Sequence, residues 1–480
     1  MGDNGGMETL DESWVTRSLE MLVAGRVDGV RRLAGGASRM SFTASITGER
    51  CVVQVERGDT GRDMLEEFAL LTHLYDQGLP VARPIAAGRN DGRAVMVTEH
   101  VAGETLGRRV VRELTYVSSE SDRQGFARRR AFIGQFAAAA AAIHRVDPAI
   151  LAATTTMPDG QLAGYSAARA ALAPDRPVLA LAERWLVDNP PVIHPDVICH
   201  GDLRVGNLVV ESGELKAVLD WELAHAGHPA EDLGWACVRA WRFGGSGPAL
   251  GCATREELLE AYAAAGGARI DSQTLVHHEM LGTWKWALMC LMQADAHLSG
   301  VAEDLELLAI GRRVVENEYD LLRLLGWEMD DSSSPSEIEE ASASDAGPGT
   351  SEGAMGAGNT GLVPERVHLE TALARDREAG STPSDYRHRL HRSVSEMVDR
   401  ERDGARRLEH GRRALVERLG VTDHRDLADQ IVDGRRRPDR QLMDELGREV
   451  IRQLEIVNPG YAGREDDAPP VPPGEVSATG

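Results

Sequence analysis

A chain of 480 residues exceeds what one hydrophobic core usually serves, so two or three domains are expected. Its formal net charge of −23 argues against a general nucleic-acid surface, though not against a local basic pocket. No uninterrupted apolar stretch is long enough to span a bilayer, so no membrane association is expected.

The opening Met-Gly-Asp-Asn-Gly-Gly-Met-Glu has neither a basic n-region nor an apolar h-region, and Gly6 stands where myristoylation wants Ser or Thr. A cytoplasmic protein is expected. Five scattered cysteines, Cys51, Cys199, Cys237, Cys252 and Cys290, lack zinc-ligand spacing and read as buried free thiols of a reducing compartment.

Residues 8–24 form a short amphipathic helix marked by Leu10, Trp14, Leu19 and Leu22. A Gly/Ser turn, Leu33-Ala-Gly-Gly-Ala-Ser-Arg-Met-Ser-Phe42, precedes the strand Cys51–Val55. Gly35 and Gly36 allow close backbone approach and Ser38 can bind phosphate; an ordinary hairpin turn has the same composition. Asp63–Tyr75 is helical. Leu79-Pro-Val-Ala-Arg-Pro84 bends into strands around Ile85 and Val95–Thr98. Residues 121–146 are an Ala-rich helix. Segment 155–195 carries Pro174, Pro177, Pro190 and Pro191 and reads as irregular, interrupted by a helix at Ala180–Asp188.

Residues 198–222 carry the chemistry. Asp202 is followed by Asn207, then by two Val/Leu-rich runs, Asn207–Val210 and Leu215–Leu219, around a Glu-Ser-Gly-Glu turn, then by Asp220. The runs predict a β-hairpin whose open end sets Asn207 beside Asp220. An amide oxygen and a carboxylate there make a hard-oxygen site suited to Mg²⁺. Asp202, on the loop before, is free to accept or orient a hydroxyl proton, and Arg204 is placed to offset charge on a moving phosphoryl group. A surface salt bridge is the plainer account of Arg204.

His200-Gly201-Asp202 through Asn207, with Leu219-Asp220-Trp221-Glu222, resembles the aminoglycoside phosphotransferase family over roughly residues 25–326. The resemblance implies an α+β, bilobal protein-kinase-like fold, with a small β-rich N-lobe at 25–100 and a helical C-lobe at 101–328. It implies ATP and Mg²⁺ as cofactors and a small-molecule hydroxyl acceptor. The loop holding Gly35, Gly36 and Ser38 then covers the ATP phosphates, and Glu99-His-Val-Ala-Gly103 is the hinge whose backbone binds adenine.

In this fold a lysine on the strand after the glycine loop holds the phosphates and pairs with a helix glutamate. Here Gln54 occupies that position, and Lys216 and Lys285 are the chain's sole lysines. Glu67 stands at the partner position, as a true partner or as a surface carboxylate. Arg57 or Arg39 are the candidates to replace the lysine. His144 and Asp232 match family positions with structural roles, Asp232 bracing the catalytic loop.

The motifs look closest to the branch related to kinase portions of acyl-CoA dehydrogenase fusions, which implies a hydroxyacyl-CoA acceptor. An aminoglycoside or another small alcohol is the alternative. A pseudokinase, a nucleotide-binding or scaffolding module, is the rival from another class, favoured by the missing lysine.

Helices at 255–265, 271–298 and 301–326 complete the lobe, with Trp284, Trp286, Met289 and Met292 as core or pocket lining. The acidic Ser/Gly-rich stretch 329–362 reads as a disordered linker, and the tail 463–480 likewise. Between them, residues 363–462 keep helical apolar spacing and predict a separate all-α bundle. Its acidic and basic residues balance, so its arginines are a salt-bridged surface. It is expected to dock on the kinase-like domain near the acceptor cleft, in cis or, within a homo-oligomer, in trans.

Overall fold

The computed structural model describes residues 11–33, 39–56, 63–114, 123–151, 160–329, 360–378 and 385–463. Gly35, Gly36, Ser38, Arg57, Pro383, most of the proposed linker and all but the first residue of the tail lie outside them. The chain divides into two compact units, one of residues 1–156, 193–237 and 241–272, the other of 157–192, 238–240 and 273–480.

The first unit opens with α1 (Glu12–Leu22), started by Asp11, whose side chain accepts from the Trp14 N–H. An antiparallel sheet follows: β1 (Val27–Arg32), β2 (Arg39–Ile46), β3 (Glu49–Glu56), β4 (Pro84–Asn90) and β5 (Arg93–Glu99), in the order β1-β2-β3-β5-β4. Strand alternation divides the sheet's side chains between two faces. Met40, Phe42, Val53, Val55, Val95 and Val97 share a core with Trp14, Val15 and Leu19 of α1. Arg39, Ser41, Gln54 and Met96 point to the opposite face, the face of α2 (Met64–Asp76). Thr47-Gly48 and Asp91-Gly92, both at positive φ, close the β2–β3 and β4–β5 hairpins with two-residue turns.

Helices α3 (Gly107–Glu113) and α4 (Arg123–His144) lead toward the catalytic segment. Strand β6 (Val197–Cys199) pairs with β9 (His225–Gly227), and β7 (Leu208–Glu211) with β8 (Glu214–Val218). The expected hairpin is present, turning on Ser212 and Gly213, both at positive φ. Helix α7 (Ala230–Trp235) follows, then α8 (Arg255–Ala264), opened by a capping box between Thr254 and Glu257.

The second unit is helical: α5 (Gly160–Leu172), α6 (Pro177–Asp188), α9 (Ser272–Leu298), α10 (Leu305–Arg312), α11 (Val314–Leu324), α12 (Arg366–Glu378), α13 (Asp385–Leu419), α14 (His424–Val432) and α15 (Arg440–Val457). Two expectations need correction. Segment 155–195 holds two helices, because Pro174 and Pro177 flank rather than interrupt them, Pro177 sitting at the first turn of α6 where it costs no hydrogen bond. The helix expected at 301–326 is two, α10 and α11, with Arg313 between them.

One core joins Leu179 of α6, Trp284 of α9, Leu322 of α11, Leu369 of α12, Leu415 of α13 and Leu446 of α15. Trp284 is fully buried and donates to Leu179 O at 3.0 Å, while Met292, expected as core or pocket lining, is 36% exposed and not part of the core. Buried ion pairs tie the helices further. Arg312 Nη2 meets Glu401 at 2.7 Å, and Arg176 Nη2 meets Glu318 at 2.9 Å. Tyr461 donates to Asp320 at 2.8 Å, and the Arg239 guanidinium lies over its ring. All five cysteines are buried free thiols, and no helix among the described residues is long and apolar enough to cross a membrane.

Candidate active site

The catalytic loop is built on buried hydrogen bonds. Asp232, the third residue of α7 and fully buried, accepts from His200 N at 2.8 Å, Gly201 N at 2.9 Å and His144 Nε2 at 3.1 Å. Burial alone would raise its carboxyl; the hydrogen bond and charge of His144, with His200, hold it at about 2. Tyr262 OH meets the other His144 nitrogen at 2.7 Å. Gly201 adopts φ +82°, and a Cβ there would lie 2.3 Å from Leu223 O, so this position admits no side chain.

His200 joins the loop to the hairpin. Its Nδ1 accepts from Asp202 N at 3.1 Å and its Nε2 donates to Leu219 O at 2.9 Å, which fixes the tautomer. Burial lowers its pKa, keeping it neutral. Leu219 N in turn donates to Asn207 O at 2.8 Å, so the open end of the hairpin holds Asn207 against Leu219, the residue before Asp220.

Three donors hold the Asp202 carboxylate. Arg204 Nε at 2.8 Å and Trp235 Nε1 at 2.7 Å share Oδ1, and Asn207 Nδ2 at 2.6 Å takes Oδ2. The Arg204 guanidinium also lies 4.4 Å from the Trp241 ring centroid, so its first task is to orient Asp202. With its Nδ2 spent on Asp202, Asn207 keeps Oδ1 for another partner.

Asp220 sits at φ +68°, in the left-handed region that a non-glycine residue occupies only under constraint. Burial, then Glu222, Asp202 and Glu67, push its carboxyl up to about 7, partly offset by Arg39. Glu67 is 1% exposed and pairs with Arg39 Nη2 at 2.5 Å, which removes the surface-carboxylate reading. Glu222 lies 3.4 Å from Arg39 Nε. Gln54 faces Ser41 across the β2–β3 pair and is half-buried. At the end of β5 the Glu99 carboxylate accepts from Arg83 N at 2.9 Å, and Glu99 N donates to Arg83 O at 2.9 Å.

The sequence reading assigned no role to Trp235, Trp241 or Glu222. Trp235 was within reach of it: three residues beyond Asp232 on a helix, it must share that aspartate's face toward the loop.

Residues 29–275 match the family model described as the phosphotransferase enzyme family, just over half of the chain. The chain belongs to that family. Its fold is kinase-like, and an all-α C-terminal region extends beyond the matched residues. Acyl-CoA dehydrogenase family member 11 of Gallus gallus is 40% identical over 65 residues, 13% of this phosphotransferase and 8% of that relative. The Homo sapiens protein of the same name is 29% identical over 188 residues, 35% of this chain and 22% of its own. The phosphotransferase therefore spans less than a quarter of these relatives. A solved structure, the apoenzyme of macrolide 2′-phosphotransferase MphH from Brachybacterium faecium, is similar with a TM-score of 0.42 and 21% identity, over 61% of this chain and 93% of that one.

Replacing Trp235 by Phe keeps a large ring beside Trp241 and removes one donor from Asp202. A hydrogen bond to a charged group contributes ~1.5–3 kcal/mol, so kcat is expected to fall about tenfold or more. Nucleotide affinity and melting temperature should hold. Steady-state kinetics beside a nucleotide titration checks this, and an unchanged kcat removes Trp235 from the site.

Proposed function

We propose that this phosphotransferase moves the γ-phosphoryl group of ATP, with Mg²⁺, to a hydroxyl of a hydroxyacyl-CoA thioester. The observation that carries the phosphoryl transfer is Asp202 held by three donors beside the paired Asn207 and Asp220. The acceptor class rests on the likeness to proteins named acyl-CoA dehydrogenase family members, and on the family branch whose motifs the chain resembles.

The residues fit a divalent cation. Asn207 Oδ1 and the Asp220 carboxylate are hard oxygen donors, and four carboxylates, Asp202, Asp220, Glu222 and Glu67, face two guanidinium groups, Arg39 and Arg204. Such a cluster of negative charge is what a cation would offset, letting Asp220 ionise near neutral pH. Bound there, Mg²⁺ supplies charge neutralisation at the phosphate oxygens.

Asp202 does the remaining work. Its carboxylate, stabilised by Arg204, Trp235 and Asn207, is a weak base suited to aligning the acceptor hydroxyl. As the acceptor oxygen bonds to the γ-phosphorus and the bond to the β-phosphate oxygen breaks, the hydroxyl proton passes to Asp202 and ADP leaves. Transfer through a loose transition state needs alignment more than a strong base, so this environment suits the reaction.

The missing strand lysine favours a pseudokinase as second reading. ATP consumption with Mg²⁺, measured across hydroxyacyl-CoAs, aminoglycosides and small alcohols, separates the readings. Acceptor-dependent turnover with a hydroxyacyl-CoA is the expected result. Turnover with an aminoglycoside alone would reassign the acceptor, and nucleotide binding with no turnover on any acceptor leaves the pseudokinase.

A further inference from the structure

The missing lysine leaves a charge to be supplied, and the sheet register shows from where. Ser41 of β2 stands opposite Gln54 of β3, and Arg39 stands opposite Glu56. Arg39 is therefore the diagonal neighbour of Gln54 on the same sheet face, a separation of roughly 7–8 Å between their Cα atoms, which a long side chain crosses. The intervening Met40 points to the other face, into the core beneath α1.

Arg39 is also in a cation's place chemically. It is 6% exposed, and its Nη2 holds Glu67 of α2, the glutamate that the strand lysine pairs with elsewhere in this fold. Its Nε reaches toward Glu222, and the charge of Asp220 acts on it too. The third nitrogen, Nη1, is buried and has no hydrogen-bond partner among the described residues. A buried guanidinium N–H left unmade is costly, and persists where a ligand completes it. An anionic oxygen beside the Asn207–Asp220 pair meets both needs.

We propose that Arg39 is the phosphate anchor of this enzyme: Nη1 donates to a non-bridging oxygen of the triphosphate while Nη2 stays on Glu67. The helix glutamate is kept, and its cation has moved one strand over. The inference rests on the phosphoryl-transfer reading above.

Calorimetric titration of the full-length chain with Mg²⁺–ATP and with adenosine tests it. Arg39→Ala is expected to weaken Mg²⁺–ATP binding by tenfold or more and leave adenosine binding unchanged. Adding Gln54→Lys to Arg39→Ala restores a cation from the neighbouring strand and should recover much of the lost affinity. A merely structural Arg39 predicts the opposite pattern: both ligands weakened together, with no rescue by Gln54→Lys. If Arg39→Ala fails to fold, Arg39→Gln, which keeps an amide donor for Glu67, carries the same comparison. Wild-type binding of Mg²⁺–ATP with no selective loss in the variants overturns the role of Arg39 alone. A wild-type chain that binds adenosine and Mg²⁺–ATP equally weakly, or neither, overturns the functional reading along with it.

Discussion

Asp202→Ala is expected to lower kcat by roughly 10²–10⁴-fold and to leave Mg²⁺–nucleotide affinity unchanged. The two effects separate because Asn207 is tied to residue 202 twice, through the carboxylate at 2.6 Å and through the backbone carbonyl at 3.0 Å. Alanine removes the first bond and keeps the second, so the Asn207 amide keeps its orientation. Asparagine is the less clean variant. If its carbonyl oxygen takes the place of Oδ1, accepting from Arg204 and Trp235, its NH₂ then confronts the NH₂ of Asn207. Relief comes from flipping Asn207, which turns a donor toward the cation site. Asp202→Asn should therefore lose nucleotide affinity as well as turnover, although it is the closer isostere. Steady-state kinetics and calorimetry on both variants check this. Near-wild-type turnover in Asp202→Ala would remove Asp202 from the chemistry.

What the sequence disclosed of this site follows from which contacts are local. Asp202, Asn207 and Asp220 lie within one short segment, and the hairpin that turns at Ser212-Gly213, with a register shift between Val209 and Val210, sets Asn207 against Leu219, the neighbour of Asp220. The alternation of β2, β3 and β5 likewise marks which residues share a face, but not which strands are neighbours. The Arg39–Glu67 pair joins β2 to a helix 28 residues on, and only the strand order β1-β2-β3-β5-β4 with its register shows that Arg39 lies diagonal to Gln54. Sequence alone left Arg39 and Arg57 as equal candidates, because the diagonal relation of Arg39 to Gln54 depends on the pairing of two strands. In the helical unit, proline counts misled at 155–195, since a proline at a helix's first turn is a start signal as much as a break. The cap at Asp423 is a wholly local contact by contrast, its side chain accepting from Asp426 N three residues on.

Arg312→Met is expected to destabilise the helical unit by ~3–5 kcal/mol, whereas Arg312→Met with Glu401→Leu should recover most of the loss. Arg312 ends α10 and is wholly buried; Glu401, in the middle of α13, is 2% exposed. Their ion pair is supported by Arg312 Nε donating to Pro364 O at 2.8 Å and by Thr360 Oγ1 donating to Glu401 at 3.1 Å. Removing the arginine alone leaves a carboxylate in an apolar core with one hydroxyl for company. Removing both charges replaces a costly desolvated pair with packing, so the double variant should lie within about 1 kcal/mol of wild type. Denaturant unfolding of both singles and the double gives the coupling energy directly. The result bears on how the helical unit is held together, because α10 and α13 are far apart in sequence and share this buried pair. Strong coupling means that α13 supports α10; single variants both within about 1 kcal/mol of wild type, with no coupling, would mean that α13 adds nothing to the stability of α10.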